Sequence, residues 1–240
     1  MYIEKVMNAR KKYIVGTLLV LIIILASLGV YFVLSQRFLL DRLWKRGIIS
    51  ENLEASIGYI GCSNTRETVE GYHRVGGTNM WPYDKRYDSG SVVDWAQNAE
   101  SGNKYWNVFD DLLKEYPNTH TIWWQLCIRH DEEETNYQRT ILVLEAIRKR
   151  IPNAVIYASA LAEYTNEVCE ITGTFGIEKA KELVQELDLK NEDVLPGPVL
   201  GPMSPIETAK DGCHLSSPDG KRKLGNQMKE FFDERIQRDI

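Results

Sequence analysis

Two short stretches of this chain carry side chains of the right type and spacing for bond-making chemistry. The first is Gly61-Cys62-Ser63-Asn64-Thr65, which closes the short apolar run at 55–61, ASIGYIG. Open parallel sheets bind their ligands beyond the carboxyl ends of the strands, so a serine just past such a run is a candidate nucleophile. The same Ser63 also reads as an ordinary N-cap for the next helix. The second stretch is Asp211-Gly212-Cys213-His214-Leu215-Ser216. An aspartate three residues before a histidine can turn its carboxylate back to the imidazole, fix the tautomer and stabilise the imidazolium. The bland reading is a loop aspartate capping a turn beside a surface histidine. Taken together, Ser63, His214 and Asp211 are the parts of a base-activated nucleophile.

Such parts must be brought together by elements far apart in the chain. The run at 55–61 has the composition of a buried strand. At 105–116, Trp106, Phe109, Leu112 and Leu113 recur at helical spacing and Pro117 closes the segment. The β-branched and aromatic stretch at 119–127 (THTIWWQLC) predicts a central strand, 133–151 a long helix, 154–158 a further strand and 176–187 an amphipathic helix. A Pro/Gly-rich loop follows at 195–205, and 218–236 predicts a closing helix with Leu224, Met228, Phe231, Phe232 and Ile236 on its apolar side. Strands alternating with helices imply an α/β domain built on a parallel sheet with helices on it. Trp123 and Trp124 then read as core residues. The acidic run 131–134 reads as a helix start, where carboxylates meet the positive end of the dipole.

With a serine after the first strand and Asp-x-x-His before the last helix, the chain resembles the SGNH (GDSL-type) serine ester hydrolases over roughly 56–232. DGCHLSSPDGKRKLGNQM is similar to that family's last block, and GCSNT to its first, with Cys62 where the family has Asp. The resemblance implies a flavodoxin-like three-layer fold with helices on both faces of a parallel sheet. It also implies a glycine after the second strand whose N–H helps hold an oxyanion, which Gly90 in YDSGS matches best, with Gly76 and Gly77 as weaker candidates. The third strand of the family ends in GxND, whereas QLCIRHD here places Cys127, Arg129 and His130 at the Gly, Asn and Asp positions. Arg129 is accordingly the candidate replacement for the Asn donor, with Gln125 the alternative. The implied reaction is hydrolysis or transfer of acyl ester groups on cell-envelope glycans or lipids, without cofactor or metal. The rival reading is a silent binding or scaffold domain that kept the fold.

The remaining features concern location. Residues 14–34 contain no charged side chain, and at ~1.5 Å per residue such a helix matches a hydrocarbon core of about 30 Å. The expected organisation is therefore a tail and membrane anchor at 1–36, a stalk at 37–53 and the α/β domain at 54–240. Lys5, Arg10, Lys11 and Lys12 on one flank balance Arg37, Arg42, Lys45 and Arg46 on the other, so the short tail decides for a cytoplasmic N-terminus and an outside domain. With 29 basic and 34 acidic residues and no long basic run, nucleic acid is excluded as a partner. His73, His120 and His130 lack the i, i+4 spacing of a helical metal pair. The four cysteines form no CxxC pair. They predict up to two disulfides in an oxidising compartment or buried thiols in a reducing one, with Cys169–Cys213 the bridge expected on export.

Overall fold

The computed structural model describes residues 55–86, 90–165, 169–215 and 217–235. The expected span and stalk lie outside these, and among the described residues no helix is long and apolar enough to cross a membrane.

The strands are β1 (Ile57–Ile60), β2 (Thr121–Leu126), β3 (Val155–Ala160) and β4 (Val194–Pro196), all parallel and in the order β1-β2-β3-β4. β1 and β2 are buried along their full length, as expected of strands covered on both faces. The second strand implied by the resemblance is reduced here to one parallel bridge, Ile57 with Met80, on the outer side of β1. That segment still donates Trp81 N–H to Ile57 and accepts from Ala55 and Ile57. Counting it, the spatial order is that of a doubly wound flavodoxin-like sheet. β4 falls where the sequence predicts only a Pro/Gly loop. Its Pro196 is tolerated because β4 is an edge strand, where a missing N–H costs no ladder bond.

The helices are α1 (Ser63–Arg74), α2 (Val92–Ala96), α3 (Lys104–Glu115), α4 (Tyr137–Arg150), α5 (Gly173–Lys190) and α6 (Pro218–Lys229), which runs on as a π turn at Glu230–Arg235. α1 and α6 cover one face of the sheet, touching the side chains that alternate with the core residues of the other face. Thr65 of α1 donates to Gln125, and Phe231 and Phe232 pack edge-on against Tyr157. α3 lies on the opposite face, where Phe109 packs against Trp81 with the rings tilted by 60°; α4 and α5 follow it there, as right-handed crossovers require. α1 and α6 approach so closely that a Cβ on Gly225 would strike the backbone of Gly71. The acidic run at 131–134 does not begin a helix. It forms turns, and α4 starts only at Tyr137, where Asn136 caps by accepting from Arg139 N–H at 3.1 Å.

Five tryptophans are fully buried: Trp81, Trp95, Trp106, Trp123 and Trp124. Buried indoles need a partner for N–H. Trp106 donates to the carbonyl of Trp95 at 2.9 Å, and Trp95 donates to the carbonyl of Gly61 at 2.8 Å. The core thus reaches by hydrogen bonds to the turn that carries Ser63.

Candidate active site

β1 must leave the sheet and enter α1 within two residues, and Gly61 makes the turn with φ +152°, a conformation that suits only glycine. A Cβ there would also strike Thr65 of α1. Cys62 follows as N-cap, its N–H donating to Thr65 Oγ1 at 3.0 Å. Ser63 is therefore the first residue of α1, one place past the cap position that its type alone suggests, and its side chain projects from the positive end of the helix.

His214 arrives from the loop before α6. Its Nε2 lies 2.7 Å from Ser63 Oγ and its Nδ1 lies 2.6 Å from Asp211 Oδ2. A carboxylate only accepts, so Nδ1 carries the proton and Nε2 is left to accept from the Ser63 hydroxyl. Asp211 is itself held: Oδ1 accepts from the backbone N–H groups of Cys213 at 2.9 Å and His214 at 3.0 Å. Partial burial works against its charge, but the bonds from the His214 ring and from these two N–H groups more than offset that and hold its carboxyl below the usual range. The three residues singled out in the sequence are thus brought together in one relay.

Neighbouring bonds fix the loop that carries the histidine. Glu67 of α1 accepts from Leu215 N–H at 2.8 Å, and Tyr164 donates to the carbonyl of Cys213 at 3.1 Å while accepting from Asn64 at 3.4 Å. Burial raises the Tyr164 phenol above its ordinary range, so it stays a donor. Cys169–Cys213 is bonded as expected, and Cys62–Cys127, a pairing absent from the sequence reading, ties the residue before Ser63 to the end of β2. All four of these cysteines line the cavity of about 230 Å³ into which Ser63 and His214 open.

The remaining candidates take different places. Arg129 lines that cavity, but its guanidinium is engaged with carboxylates: Nε and Nη2 reach Glu132 Oε1 at 3.0 and 2.7 Å, and Nη2 lies 3.6 Å from Asp94. Burial works against the guanidinium's charge, yet Glu132 and Asp94 more than compensate and raise its pKa. Among the described residues it makes no bond to Ser63 or His214. Gln125 is buried in the sheet between Thr65 and the carbonyl of Ala160, and does not line the cavity. Gly90 sits at the turn into α2, buried under Trp95, whose ring leaves no room for a Cβ. The residue of that turn that lines the cavity is Ser91, which donates to Glu132 at 2.6 Å. Residues 87–89 of the same block lie outside the described residues.

Glu132 is the residue that sequence reasoning misplaced. It is 4% exposed and draws together Arg129 and Ser91, although it reads in the sequence as one carboxylate of a helix start. The Arg-x-x-Glu spacing of 129 and 132 was the available sign.

No protein-family model matches the chain, and no curated protein matches it. Among solved structures it is similar to a Clostridium thermocellum family 3 carbohydrate esterase, with 14% identity, a TM-score of 0.48, and coverage of 76% of this chain and 96% of that one.

Proposed function

We propose that this chain is a membrane-anchored serine ester hydrolase of the SGNH type, acting on acyl esters of cell-envelope glycans or lipids. The observation that carries the reading is the relay from Ser63 Oγ through His214 to Asp211, with hydrogen bonds of 2.7 and 2.6 Å. Ser63 Oγ attacks the ester carbonyl carbon while its proton passes to His214 Nε2. The negative charge that develops on the carbonyl oxygen faces the Ser63 N–H at the start of α1 in this assignment, while Gly90, buried under Trp95, does not line the cavity. Collapse breaks the bond to the alcohol, which leaves with the proton from His214. Water then attacks the acyl-Ser63 carbonyl, His214 takes its proton, and the acid departs as Ser63 is reprotonated. Asp211 holds Nδ1–H throughout and stabilises the imidazolium. Arg129 belongs to the cavity wall in this scheme rather than to the oxyanion site, because two carboxylates already hold its guanidinium.

Anchoring by 14–34 with the domain on the oxidising side is part of the proposal, and the two disulfides support it, since such bonds persist outside the cytoplasm. A fluorophosphonate probe tests the chemistry. Ser63 is expected to be labelled, and Ser63→Ala and His214→Ala each to abolish labelling and turnover of a short-chain p-nitrophenyl ester. Labelling that survives Ser63→Ala moves the nucleophile elsewhere. Folded protein with neither labelling nor turnover is the silent binding domain instead.

A further inference from the structure

One wall of the cavity is backed by more negative charge than positive. Arg129 and Ser91 both line the cavity, and behind them Glu132 accepts from Ser91 Oγ at 2.6 Å, from Arg129 N–H at 3.0 Å and from the Arg129 guanidinium at 2.7 Å. Asp94 Oδ2 accepts from Ser91 N–H at 2.9 Å and faces the same guanidinium at 3.6 Å. One cation therefore meets two carboxylates; the Glu132 side chain is 6% exposed and that of Arg129 47%, so the pair is buried at its carboxylate end and reaches water at its guanidinium end. The same contacts tie the turn before α2 to the segment after β2, which a bond from Val92 N–H to the carbonyl of Cys127 also joins.

We propose that Glu132 is a positioning residue that, with Asp94, holds Arg129 in a wall whose carboxylates outnumber its cation and so makes the pocket selective for esters with uncharged acyl groups. The inference rests on the serine hydrolase reading. An arginine beside a nucleophile otherwise favours a carboxylate on the substrate, because its planar fork pairs with one bidentately. Here the Nε and Nη2 edge of that fork is engaged from within by Glu132. A substrate carboxylate entering the cavity meets one cation already paired along one edge and two fixed anions behind it.

The test compares p-nitrophenyl butyrate with p-nitrophenyl hemisuccinate, which has a negative charge at the far end of a similar acyl chain. Wild-type protein is expected to prefer the butyrate. Glu132→Gln keeps the shape and an acceptor oxygen for Ser91 but removes the charge, and it is expected to raise the hemisuccinate-to-butyrate ratio of kcat/KM by about tenfold or more, mainly through KM. Asp94→Asn shifts the ratio the same way by less, and adding Arg129→Gln to Glu132→Gln cancels the gain. A purely structural Glu132 slows both esters alike and leaves the ratio unchanged, which overturns the proposal, as does a wild-type preference for hemisuccinate. A second readout does not need catalysis: modification of Arg129 by phenylglyoxal, followed by peptide mass spectrometry, is expected to be several-fold faster in folded Glu132→Gln than in wild type. Equal rates overturn the proposal even if the protein hydrolyses no ester, whereas faster modification without turnover or Ser63 labelling overturns only the hydrolase reading.

Discussion

Replacing Asp211 by Asn isolates the contribution of a single charge, because the carboxylate makes three bonds and only one of them needs it. Asn Oδ1 can still accept from the N–H groups of Cys213 and His214, at 2.9 and 3.0 Å in the native loop, so the loop is expected to keep its shape. The third bond reverses. At 2.6 Å from Nδ1 the amide presents an NH2 group, two donors cannot face each other, and the imidazole adopts the tautomer with its proton on Nε2. His214 then donates to Ser63 Oγ and cannot take its proton. Losing a charge-assisted hydrogen bond of roughly 1.5–3 kcal/mol accounts for about one to two decades of rate at ~1.4 kcal/mol per decade. The wrong tautomer supplies the rest, for a total loss near 10⁴ in kcat, as expected where a triad carboxylate becomes an amide. Stopped-flow and steady-state assays on the short-chain ester give kcat and KM, and thermal denaturation gives stability. The expectation is a kcat loss of ~10³ to 10⁴, little change in KM and a stability change within about 1–2 kcal/mol. A kcat loss below tenfold in a folded variant refutes the tautomer argument.

Three further outcomes follow from the structure. Trp95→Phe leaves the carbonyl of Gly61 without the indole that reaches it at 2.8 Å, which is expected to cost about 1–3 kcal/mol in denaturant melts and to lower kcat, since that carbonyl belongs to the turn that sets Ser63. Reduction of both disulfides in folded protein is expected to lower turnover at a temperature where circular dichroism still reports native secondary structure, because the bonds pin the residues next to Ser63 and His214; unchanged turnover with four free thiols by mass spectrometry overturns this. Acid is expected to destabilise the domain. Asp84 is lowered chiefly by its bond from Arg86 and Glu207 chiefly by Ser204 N–H, while Glu70 and Asp211 are lowered by their hydrogen-bonded partners despite burial. A depressed folded value gives stability that is present above the unfolded carboxyl range of about 4 and is lost as pH falls through the folded values, so melts should be flat near neutrality and decline below pH ~4.

What could be read without coordinates was local or carried by a compact pattern. Asp211 and His214 are three residues apart, so their contact is almost implied by spacing, and Ser63 is marked by the apolar run that ends in Gly61. The alternation of strands and helices announces the doubly wound sheet. Contacts between distant segments were hidden. Cys62 and Cys127 are left as the remaining pair once Cys169 and Cys213 are joined, but nothing local brings them together or aims the Trp95 indole at Gly61, because both depend on which strands become neighbours. The second strand, implied by the resemblance but given no span, is a single bridge at Met80, since a segment that makes only edge bonds to β1 needs little β-forming sequence. Arg129 lines the cavity just past β2 with Glu132 against its Nε and Nη2: a gapless match to a block says where a residue stands, not which neighbours its donors meet.

The glycine contact between α1 and α6 has a consequence for how the site can be altered. Ser63 begins α1 and His214 lies just ahead of α6, so the gap between nucleophile and base is a coordinate of two rods crossing backbone to backbone at Gly71 and Gly225, well down the helices from the chemistry. A crossing of that kind works as a pivot: a small wedge at the pivot becomes a larger displacement at the tips. Two residues with no side chains thus share in setting the gap between the reacting groups, beside the Glu67 and Tyr164 bonds and the two disulfides. Anyone who transplants this site to another scaffold must carry the pivot with it, not only the three residues at its end.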